Sequence, residues 1–298
     1  KNFGGDILKK TIPAISVIIP MYNAEKYIAE TLNSILGQTF QNFEVIVVNN
    51  CSTDNGVKIV ESFIPKFNGK LKLFHTEINL GFCGIPRNKG LEFSRGKYIY
   101  FMDSDDVILI NALEIFYNIA EHYQVDLLHG KKYLISEGTG QELLKNAKLM
   151  GDPKDVVLRL VTEDMSLKLN AWKDNYFETY PWLKFIRRDF LINSGVKFLP
   201  VIQEDSYWTF ELMCLAKKII LLPNVFYVYR LNQSSTSRAA LNVDFDAAGL
   251  HKKLDRIING FKHIDEFMGR LEFFQKNPFH FVEYYFPVFP LKIFEYLS

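Results

Sequence analysis

The first hundred residues alternate between short apolar runs and segments whose apolar side chains recur at helical spacing. The first run, residues 15–20, is rich in β-branched side chains and stops at a proline, which is typical of a buried strand. Strands that alternate with helices indicate a parallel sheet with crossover helices. We therefore predict an α/β fold with a mostly parallel central sheet flanked by helices. The predicted strands are residues 15–20, 43–48, 71–75 and 98–102, and the predicted helices are residues 27–36, 55–63 (capped by Ser52 or Thr53) and 82–93.

The pattern changes beyond residue 106. Residues 136–155 lose periodicity and gain Gly and Lys, which indicates a loop or flap. Residues 250–271 regain helical spacing, and residues 273–297 are crowded with Phe and Tyr, so we expect a C-terminal helical extension. The other predicted elements are helices at residues 110–122 and 207–216, and strands at residues 126–135, 217–222 and 225–230.

Polar and acidic side chains gather directly after three of the predicted strands. Asn23 follows the first strand, residues 49–54 follow the second, and residues 103–106 follow the fourth. Because the carboxyl ends of parallel strands meet at one edge of a sheet, the three clusters are expected together, where open α/β folds bind their ligands. The first strand is followed neither by the glycine pattern of a dinucleotide-binding turn nor by a P-loop.

The acidic run Asp103-Ser104-Asp105-Asp106 comes at the end of the most aromatic of these strands. Two acids separated by one residue can both reach a hard divalent cation, which prefers oxygen ligands and often shares its coordination shell with substrate phosphates. Asp and Ser are also ordinary turn residues. Taken alone, the run fits both a metal site and an acidic turn.

Net charge and cysteine content limit which partners and which cellular compartment we expect. The formal net charge of +1 over 298 residues gives no support for nucleic-acid binding, so no nucleic-acid partner is expected. The three cysteines fit neither a disulfide framework nor a zinc spacing, which favours a reducing, cytoplasmic compartment. There is no signal-peptide pattern and no apolar run long enough to span a bilayer, so membrane contact is expected to be peripheral, at the inner face.

Several motifs occur in a specific order between residues 14 and 238. They are Ser16 to Asn23, Ser52-Thr53-Asp54, Arg87-Asn88-Lys89-Gly90, Asp103 to Asp106, Trp182 to Phe185 with Arg187-Arg188, Glu204-Asp205, and Tyr229-Arg230 with Ser234 to Ser237. In this order they resemble the inverting glycosyltransferases of family two. The resemblance implies a GT-A (Rossmann-like) catalytic domain over residues 1–238, followed by a helical, aromatic-rich extension over residues 239–298. It also implies transfer of a sugar from a nucleotide-diphosphate donor to an acceptor hydroxyl, with inversion at the anomeric carbon.

The same resemblance assigns roles to the acidic residues. It implies that Asp105 ligates Mn²⁺ or Mg²⁺, that Asp103 lies near the ribose and the metal, and that Asp205 is the general base. Glu204 is then the neighbour that holds the acceptor. An acidic first turn of a helix is the ordinary alternative for Glu204 and Asp205.

The donor nucleotide-sugar is expected to meet residues from all of these motifs. Asn49 and Asn50 stand where the family usually carries an acidic pair that reads the nucleobase, and an amide both donates and accepts where a carboxylate only accepts. This departure makes the expected preference for UDP less secure. Arg187 and Arg188 compete with two later arginines for the diphosphate. The candidate donor-binding residues are Pro20, Tyr22, Asn23, Asn49, Asn50, Asp54, Arg87, Asp103, Ser104, Arg230 and Arg238.

The expected acceptor is a glycan or lipid-linked glycan, in polysaccharide or lipopolysaccharide biosynthesis. A single sugar is expected per transfer, because the transmembrane helices and Gln-x-x-Arg-Trp motif of the processive synthases are not found. Two other functions stay open: a non-catalytic carbohydrate-binding or scaffold protein on a transferase fold, and a sugar nucleotidyltransferase. For the extension, packing on the catalytic domain competes with a homodimer contact or a peripheral membrane contact.

Overall fold

The computed structural model describes residues 12–79, 81–136, 159–161, 163–174, 176–231 and 247–277. Within these residues nine strands form one sheet. The strands are β1 (Ile15–Met21), β2 (Phe43–Asn49), β3 (Leu71–His75), β4 (Tyr98–Phe101), β5 (Val107–Ile108), β6 (Leu127–Ser136), β7 (Arg159–Val161), β8 (Lys184–Arg187) and β9 (Ile219–Arg230). The helices are α1 (Ile28–Leu36), α2 (Gly56–Phe63), α3 (Gly84–Phe93), α4 (Ala112–Tyr123), α5 (Met165–Lys173), α6 (Arg188–Ser194), α7 (Glu204–Leu215), α8 (Ala247–Gly269) and α9 (Glu272–Lys276).

The sheet runs in the order β3-β2-β1-β4-β8-β6-β9-β5, and β7 pairs with β9. The strands β3, β2, β1 and β4 are mutually parallel. Strand β8 is antiparallel to both of its neighbours, β4 and β6, so β6 runs in the same direction as β4. Strand β9 is parallel to β6 and therefore shares this direction. Only β5, β7 and β8 among the described strands run oppositely. The predicted α/β class with a mostly parallel sheet flanked by helices is confirmed.

Burial explains why the strands were visible in the sequence. Every residue of β1 and β2 is buried, as expected for central strands covered by helices on both faces. One apolar cluster packs helices α1, α2 and α4 against one face of the sheet. A second apolar cluster packs helices α5 and α7 against the other face. At the carboxyl edge of the parallel strands, Tyr22 after β1 is exposed.

Three local predictions were wrong. Residues 217–222 and 225–230 form the single strand β9, which stays paired with β6 across a β-bulge near Pro223. Asn55, rather than Ser52 or Thr53, precedes α2, and no side chain caps that helix. Helix α7 begins at Glu204 rather than at Tyr207, so Glu204 and Asp205 form its acidic first turn, as the alternative interpretation of this pair had it.

The described part of the extension packs on the sheet-bearing part of the chain. Ile264 and Phe267 of α8 belong to the same apolar cluster as Tyr207 of α7. A Cβ atom at Gly260 would lie 2.6 Å from the Tyr207 ring, so the two helices touch closely there. This contact favours packing of α8 on the helices that cover the sheet. The predicted boundary at residue 238 and residues 278–298 lie outside the described residues. Among the described helices, none is long and apolar enough to cross a membrane.

Candidate active site

A buried arginine joins two carboxylates that are distant in sequence. Arg87 of α3 donates from Nη2 to Oδ1 of Asp103 at 2.8 Å and from Nη1 to Oδ1 of Asp205 at 2.9 Å. The Arg87 side chain is 3% exposed, whereas the Asp103 and Asp205 side chains are 27% and 30% exposed. Both carboxylates therefore share one buried positive charge and keep part of their surface open to solvent.

Close packing of α3 places this arginine. A Cβ atom at Gly90 would lie 2.3 Å from Cγ2 of Ile18, and one at Gly84 would lie 2.4 Å from Cβ of Phe198. Glycine at these positions lets the helix approach both β1 and the segment before α7. The Arg87 guanidinium then lies over the Phe198 ring, 5.3 Å from its centroid.

The acidic loop after β4 is fastened at its last residue. Asp106 is fully buried and accepts hydrogen bonds from the Tyr227 hydroxyl at 2.6 Å and from the Arg230 backbone N–H at 2.7 Å. Burial, followed by the charges of Asp105 and Asp103, raises the pKa of Asp106 well above its ordinary value. Asp106 thus ties the loop to β9 and leaves Asp103 and Asp105 as the acids nearer the surface.

Two further side chains hold the same loop, and sequence reasoning missed both. The Tyr227 hydroxyl also accepts from the Asp103 backbone N–H at 3.2 Å, and Thr31 of α1 donates to the carbonyl oxygens of Ser104 and Asp106 at 3.0 and 2.8 Å. Nothing in the sequence marks them, because Thr31 lies within a helix and Tyr227 alternates with apolar residues along a strand. Their placement follows only from the fold.

Arg230 of β9 also holds the acidic loop in place. It is 6% exposed, donates from Nε to the Asp105 carbonyl at 2.8 Å, and forms an ion pair with Glu30. Its guanidinium also lies over the Tyr27 ring, 5.0 Å from the centroid. The predicted contact of Arg230 with a diphosphate stays a prediction.

Glu204 and Asp205 open α7 beside Arg87. The residue before them, Gln203, has a positive φ of 63° and provides no side-chain cap. Burial and the charge of Asp205 raise the pKa of Glu204 to about 8, while the Arg87 charge opposes the rise. Burial, with a contribution from Asp103, also raises the pKa of Asp205 above its ordinary value, again opposed by Arg87. Burial and the neighbouring carboxylate thus favour the protonated form of Glu204, whereas the Arg87 charge favours the ionised form of Asp205.

The polar residues after β1 and β2 form a layer of loop-to-loop hydrogen bonds. Oδ1 of Asn49 accepts from the Ser52 backbone N–H at 3.0 Å, and its Nδ2 lies 3.1 Å from Nδ1 of His75. Asn50 donates to Oδ1 of Asn79 at 3.0 Å. These amides fix the shape of the loops, and their predicted reading of a nucleobase stays untested.

The remaining residues of this layer lie at the same edge. Oδ1 of Asn23 accepts from the Thr53 backbone N–H at 2.8 Å, and Asp54 accepts from the Glu25 backbone N–H at 2.8 Å. Pro20 is buried in β1, whereas Tyr22 is 50% exposed at the end of that strand. An exposed ring at this point is available for stacking on a base.

Two of the arginines proposed for a diphosphate are at the wrong edge of the sheet. Arg187 is paired with Tyr98 at the start of β4 and forms an ion pair with Asp126, and Arg188 donates to the Ser94 carbonyl at 3.1 Å. At about 3.3 Å per strand residue, the start of β4 lies roughly 16 Å from Asp103. Charge alone does not reveal that β8 is antiparallel, which is why this prediction failed. Arg238 lies outside the described residues.

The acidic loop carries carboxylate oxygens of the kind that bind a divalent cation. Oδ2 of Asp103 accepts no hydrogen bond from the described residues, so it is available as a hard oxygen ligand. No group of three or more His, Cys, Asp or Glu side chains gathers into a complete metal site in the part of the chain that the structure describes. A cation shared with substrate phosphates needs only one or two protein carboxylates. Asp103 and Asp105 fit such a shared site.

Comparison with known proteins identifies the family. The model of Glycosyl transferase family 2 matches residues 16–195, which include the acidic loop, Arg87 and the loops after β1 and β2. The chain belongs to this family. Family 2 membership makes it a glycosyltransferase of the hexosyltransferase type, and the scaffold and nucleotidyltransferase alternatives are set aside.

Individual relatives agree with this assignment. The chain is 29% identical over 236 residues to the glycosyltransferase GlyG of Streptococcus pneumoniae serotype 4, covering 78% of this chain and 75% of GlyG. It is 43% identical over 133 residues to the poly(ribitol-phosphate) beta-N-acetylglucosaminyltransferase TarS of Staphylococcus aureus (strain Mu50), covering 44% of this chain and 23% of TarS. The crystal structure of S. aureus TarS 1–349 in complex with UDP-GlcNAc superimposes with a TM-score of 0.60 at 28% identity, covering 87% of this chain and 76% of that one. The predicted GT-A fold is thereby confirmed.

Proposed function

We propose that this family 2 member is a metal-dependent, inverting glycosyltransferase. It moves one sugar from a nucleotide-diphosphate-sugar, a UDP-sugar, to a hydroxyl of a glycan or lipid-linked glycan. The observation that carries the proposal is the Arg87 bridge. Through it, the candidate base Asp205 and the candidate donor-site carboxylate Asp103 face the same space from two different elements.

Inversion requires the acceptor to attack from the side opposite the leaving diphosphate. The acceptor oxygen forms a bond to the anomeric carbon, the bond from that carbon to the diphosphate oxygen breaks, and the hydroxyl proton passes to a carboxylate. Arg87 binds Oδ1 of Asp205, and Oδ2 accepts no hydrogen bond from the described residues. Oδ2 is therefore the atom that we assign to the proton.

Glu204 has a different task from its neighbour. With its pKa raised to about 8, Glu204 is protonated at neutral pH and can donate a hydrogen bond as well as accept one. A protonated Glu204 holds an acceptor hydroxyl without competing with Asp205 for the proton. Two adjacent titratable groups with separated roles are typical of acid–base sites.

The donor is assigned to the loops after β1, β2 and β4. Tyr22 stacks on the base, the Asn49 and Asn50 loop surrounds it, and Asp103 and Asp105 face the ribose and the diphosphate. Asp103 and Asp105 would hold Mn²⁺ or Mg²⁺, which would supply positive charge to stabilise the departing nucleoside diphosphate. The choice of UDP is supported by TarS, a structural neighbour whose structure holds UDP-GlcNAc.

Location and partners are part of the same proposal. A cytoplasmic enzyme at the inner face of a membrane would meet both a nucleotide-sugar and a lipid-linked acceptor. A homodimer or membrane contact through residues 239–298 stays a prediction, because most of the aromatic tail lies outside the described residues.

The proposal is tested by comparing two aspartate variants of the whole chain. UDP release from UDP-sugars is measured with Mn²⁺ for the wild type, Asp205→Asn and the control Asp255→Asn, whose side chain is 57% exposed on α8. We expect Asp205→Asn to lose turnover by at least about a hundredfold while retaining UDP binding, since general-base catalysis contributes that much. Asp255→Asn should match the wild type. Full turnover by Asp205→Asn would remove Asp205 from the mechanism.

A further inference from the structure

An aromatic stack lies on the half of the sheet edge that the donor loops do not use. The Trp182 ring is stacked on Tyr227 at a centroid distance of 4.2 Å and an interplanar angle of 9°. Trp182 also stacks with Tyr180 at 4.7 Å and 12°, and with Tyr229 at 5.9 Å and 18°. Tyr133 approaches this stack edge-on, with centroids 5.8 Å from Tyr180 and 4.9 Å from Trp182. The result is an ordered column of rings rather than a loose apolar patch.

The inner end of the column is joined to the acidic loop. Tyr227, 1% exposed, hydrogen-bonds through its hydroxyl to both Asp103 and Asp106. Trp182, in the middle, is 3% exposed. The column is therefore fixed with respect to the carboxylates at which the donor is proposed to bind.

The segment that carries Tyr180 is also tied to the helix of the candidate base. Thr209 of α7 donates to the Thr179 carbonyl at 2.9 Å. The buried Lys184 ammonium donates to the carbonyls of Glu178 and Tyr180 at 2.7 and 2.8 Å. Tyr180 thus lies on a segment that is hydrogen-bonded to α7, which begins with Glu204 and Asp205, and that stacks through Trp182 on Tyr227 of β9.

The outer ring of the column differs from the inner two because it is exposed. Tyr180 is 37% exposed, so the stack presents an aromatic surface to solvent at the accessible edge of the sheet. The two halves of this edge also differ in chemistry: amide and carboxylate side chains follow β1 and β2, whereas tyrosine and tryptophan dominate beside β6, β8 and β9. A pyranose ring has one face of C–H groups, and the negatively charged face of an aromatic ring complements that surface.

We propose that Tyr180 is the platform of the acceptor subsite and that it stacks on the pyranose ring whose hydroxyl is glycosylated. The proposal rests on the proposed function, because it places the sugar acceptor between the aromatic column and Asp205. It adds that the acceptor is recognised as a cyclic sugar, by ring stacking, and not only through its hydroxyl groups.

Saturation-transfer NMR on the full chain tests the proposal without requiring turnover. The probes are methyl β-D-glucopyranoside, methyl β-D-galactopyranoside and methyl α-D-mannopyranoside, with the acyclic polyol mannitol as a ligand that has no ring face. Each is titrated in the presence of UDP and Mn²⁺ into the wild type, Tyr180→Ala, Tyr180→Phe and Tyr123→Ala. Tyr123 is a matched control, since it is 40% exposed at the C-terminal end of α4. The chain enters β6 only four residues later, at the edge of the sheet where β4 begins.

We expect at least one methyl pyranoside to bind the wild type, with the strongest saturation on the C–H protons of one ring face. Its affinity should fall at least about threefold in Tyr180→Ala, the range of a lost aromatic contact, and stay unchanged in Tyr180→Phe and Tyr123→Ala. Equal affinity in Tyr180→Ala and the wild type overturns the proposal, as does a preference for mannitol or binding of no pyranoside. A wild type that fails to bind UDP in the same experiment instead refutes the proposed function.

Discussion

Replacing Arg87 with methionine removes the shared positive charge of the two carboxylates. Methionine keeps an unbranched side chain of similar length against the Phe198 ring but has no N–H donor for Asp103 or Asp205. A hydrogen bond to a charged group contributes roughly 1.5–3 kcal/mol. Because both carboxylates are partly exposed, we take the low end for each bond, about 3 kcal/mol for the two.

We expect the loss of these two hydrogen bonds to raise the activation free energy of sugar transfer, and not only to lower the free energy of unfolding. At about 1.36 kcal/mol per factor of ten, kcat/KM for UDP-sugar turnover should fall roughly a hundredfold. The acid limb of its pH profile should also move to higher pH, because the Arg87 charge opposes the rise in the pKa of Asp205. The assay is UDP release as a function of pH and donor concentration, together with urea unfolding of each variant.

A second arginine provides the matched control. Arg95 forms a 3.1 Å ion pair with the buried Glu44 beside Ser16, at the start of β1, and its side chain is 45% exposed. Arg95→Met should cost at most about 1 kcal/mol in stability and leave kcat/KM and the pH profile unchanged. If Arg87→Met and Arg95→Met had the same turnover and the same pH profile, the Arg87 bridge would have no role in positioning the base.

Three further predictions concern stability and the loop. Glu204→Gln should flatten the dependence of the free energy of unfolding on pH. The pKa of Glu204 in the folded protein, about 8, lies above its unfolded value, so the wild type loses stability as the pH rises towards 8, whereas the variant with a neutral glutamine does not. The same pH dependence for both proteins in urea unfolding from pH 5 to 9 would contradict this. Gly90→Ala should destabilise by about 1–3 kcal/mol in urea unfolding because its Cβ would lie 2.3 Å from an Ile18 methyl, whereas Gly269→Ala, with nothing within 4 Å, should not. Asp106→Asn should lower the free energy of unfolding by about 2 kcal/mol, measured by thermal unfolding, because it weakens the hydrogen bonds from Tyr227 and Arg230. It should also weaken Mn²⁺-dependent UDP binding, measured by calorimetry. Unchanged UDP binding would show that the acidic loop does not need the Asp106 side chain.

The parallel half of the fold was readable because its strands are dominated by apolar β-branched, leucine and aromatic side chains and are followed by polar residues. Strands β5 and β7 were not, since they have only two and three residues and such lengths carry no periodicity. Strand β8 is as short as β4, but it begins with Lys184 and ends with Arg187, so it does not read as an apolar run. Strand β9 was divided in two because Pro223-Asn224 looks like a turn. In the structure the extra residue is absorbed by a bulge against β6, so the pairing continues.

The candidate site was predictable as far as strand ends reveal it. Asp103 and Asp105 follow β4 directly, and the parallel arrangement brings them to the edge shared with Asn23 and Asn49. Contacts between distant segments were not predictable, above all the bridge from Arg87 to Asp205, 118 residues later in the chain. Hydrogen bonds between distant segments depend on how the helices pack and in which direction the strands run, and neither can be predicted from a single sequence.

Calorimetric titration with UDP, in the presence and absence of Mn²⁺, tests the central claim most directly. The claim is that the carboxylates at the end of β4 form a metal-assisted nucleotide-diphosphate site beside a separate base. We predict Mn²⁺-dependent UDP binding by the wild type, loss of that binding in Asp105→Asn, and its retention in Asp205→Asn. Absence of UDP binding by the folded wild type, or binding that is indifferent to both Mn²⁺ and Asp105→Asn, would contradict the account.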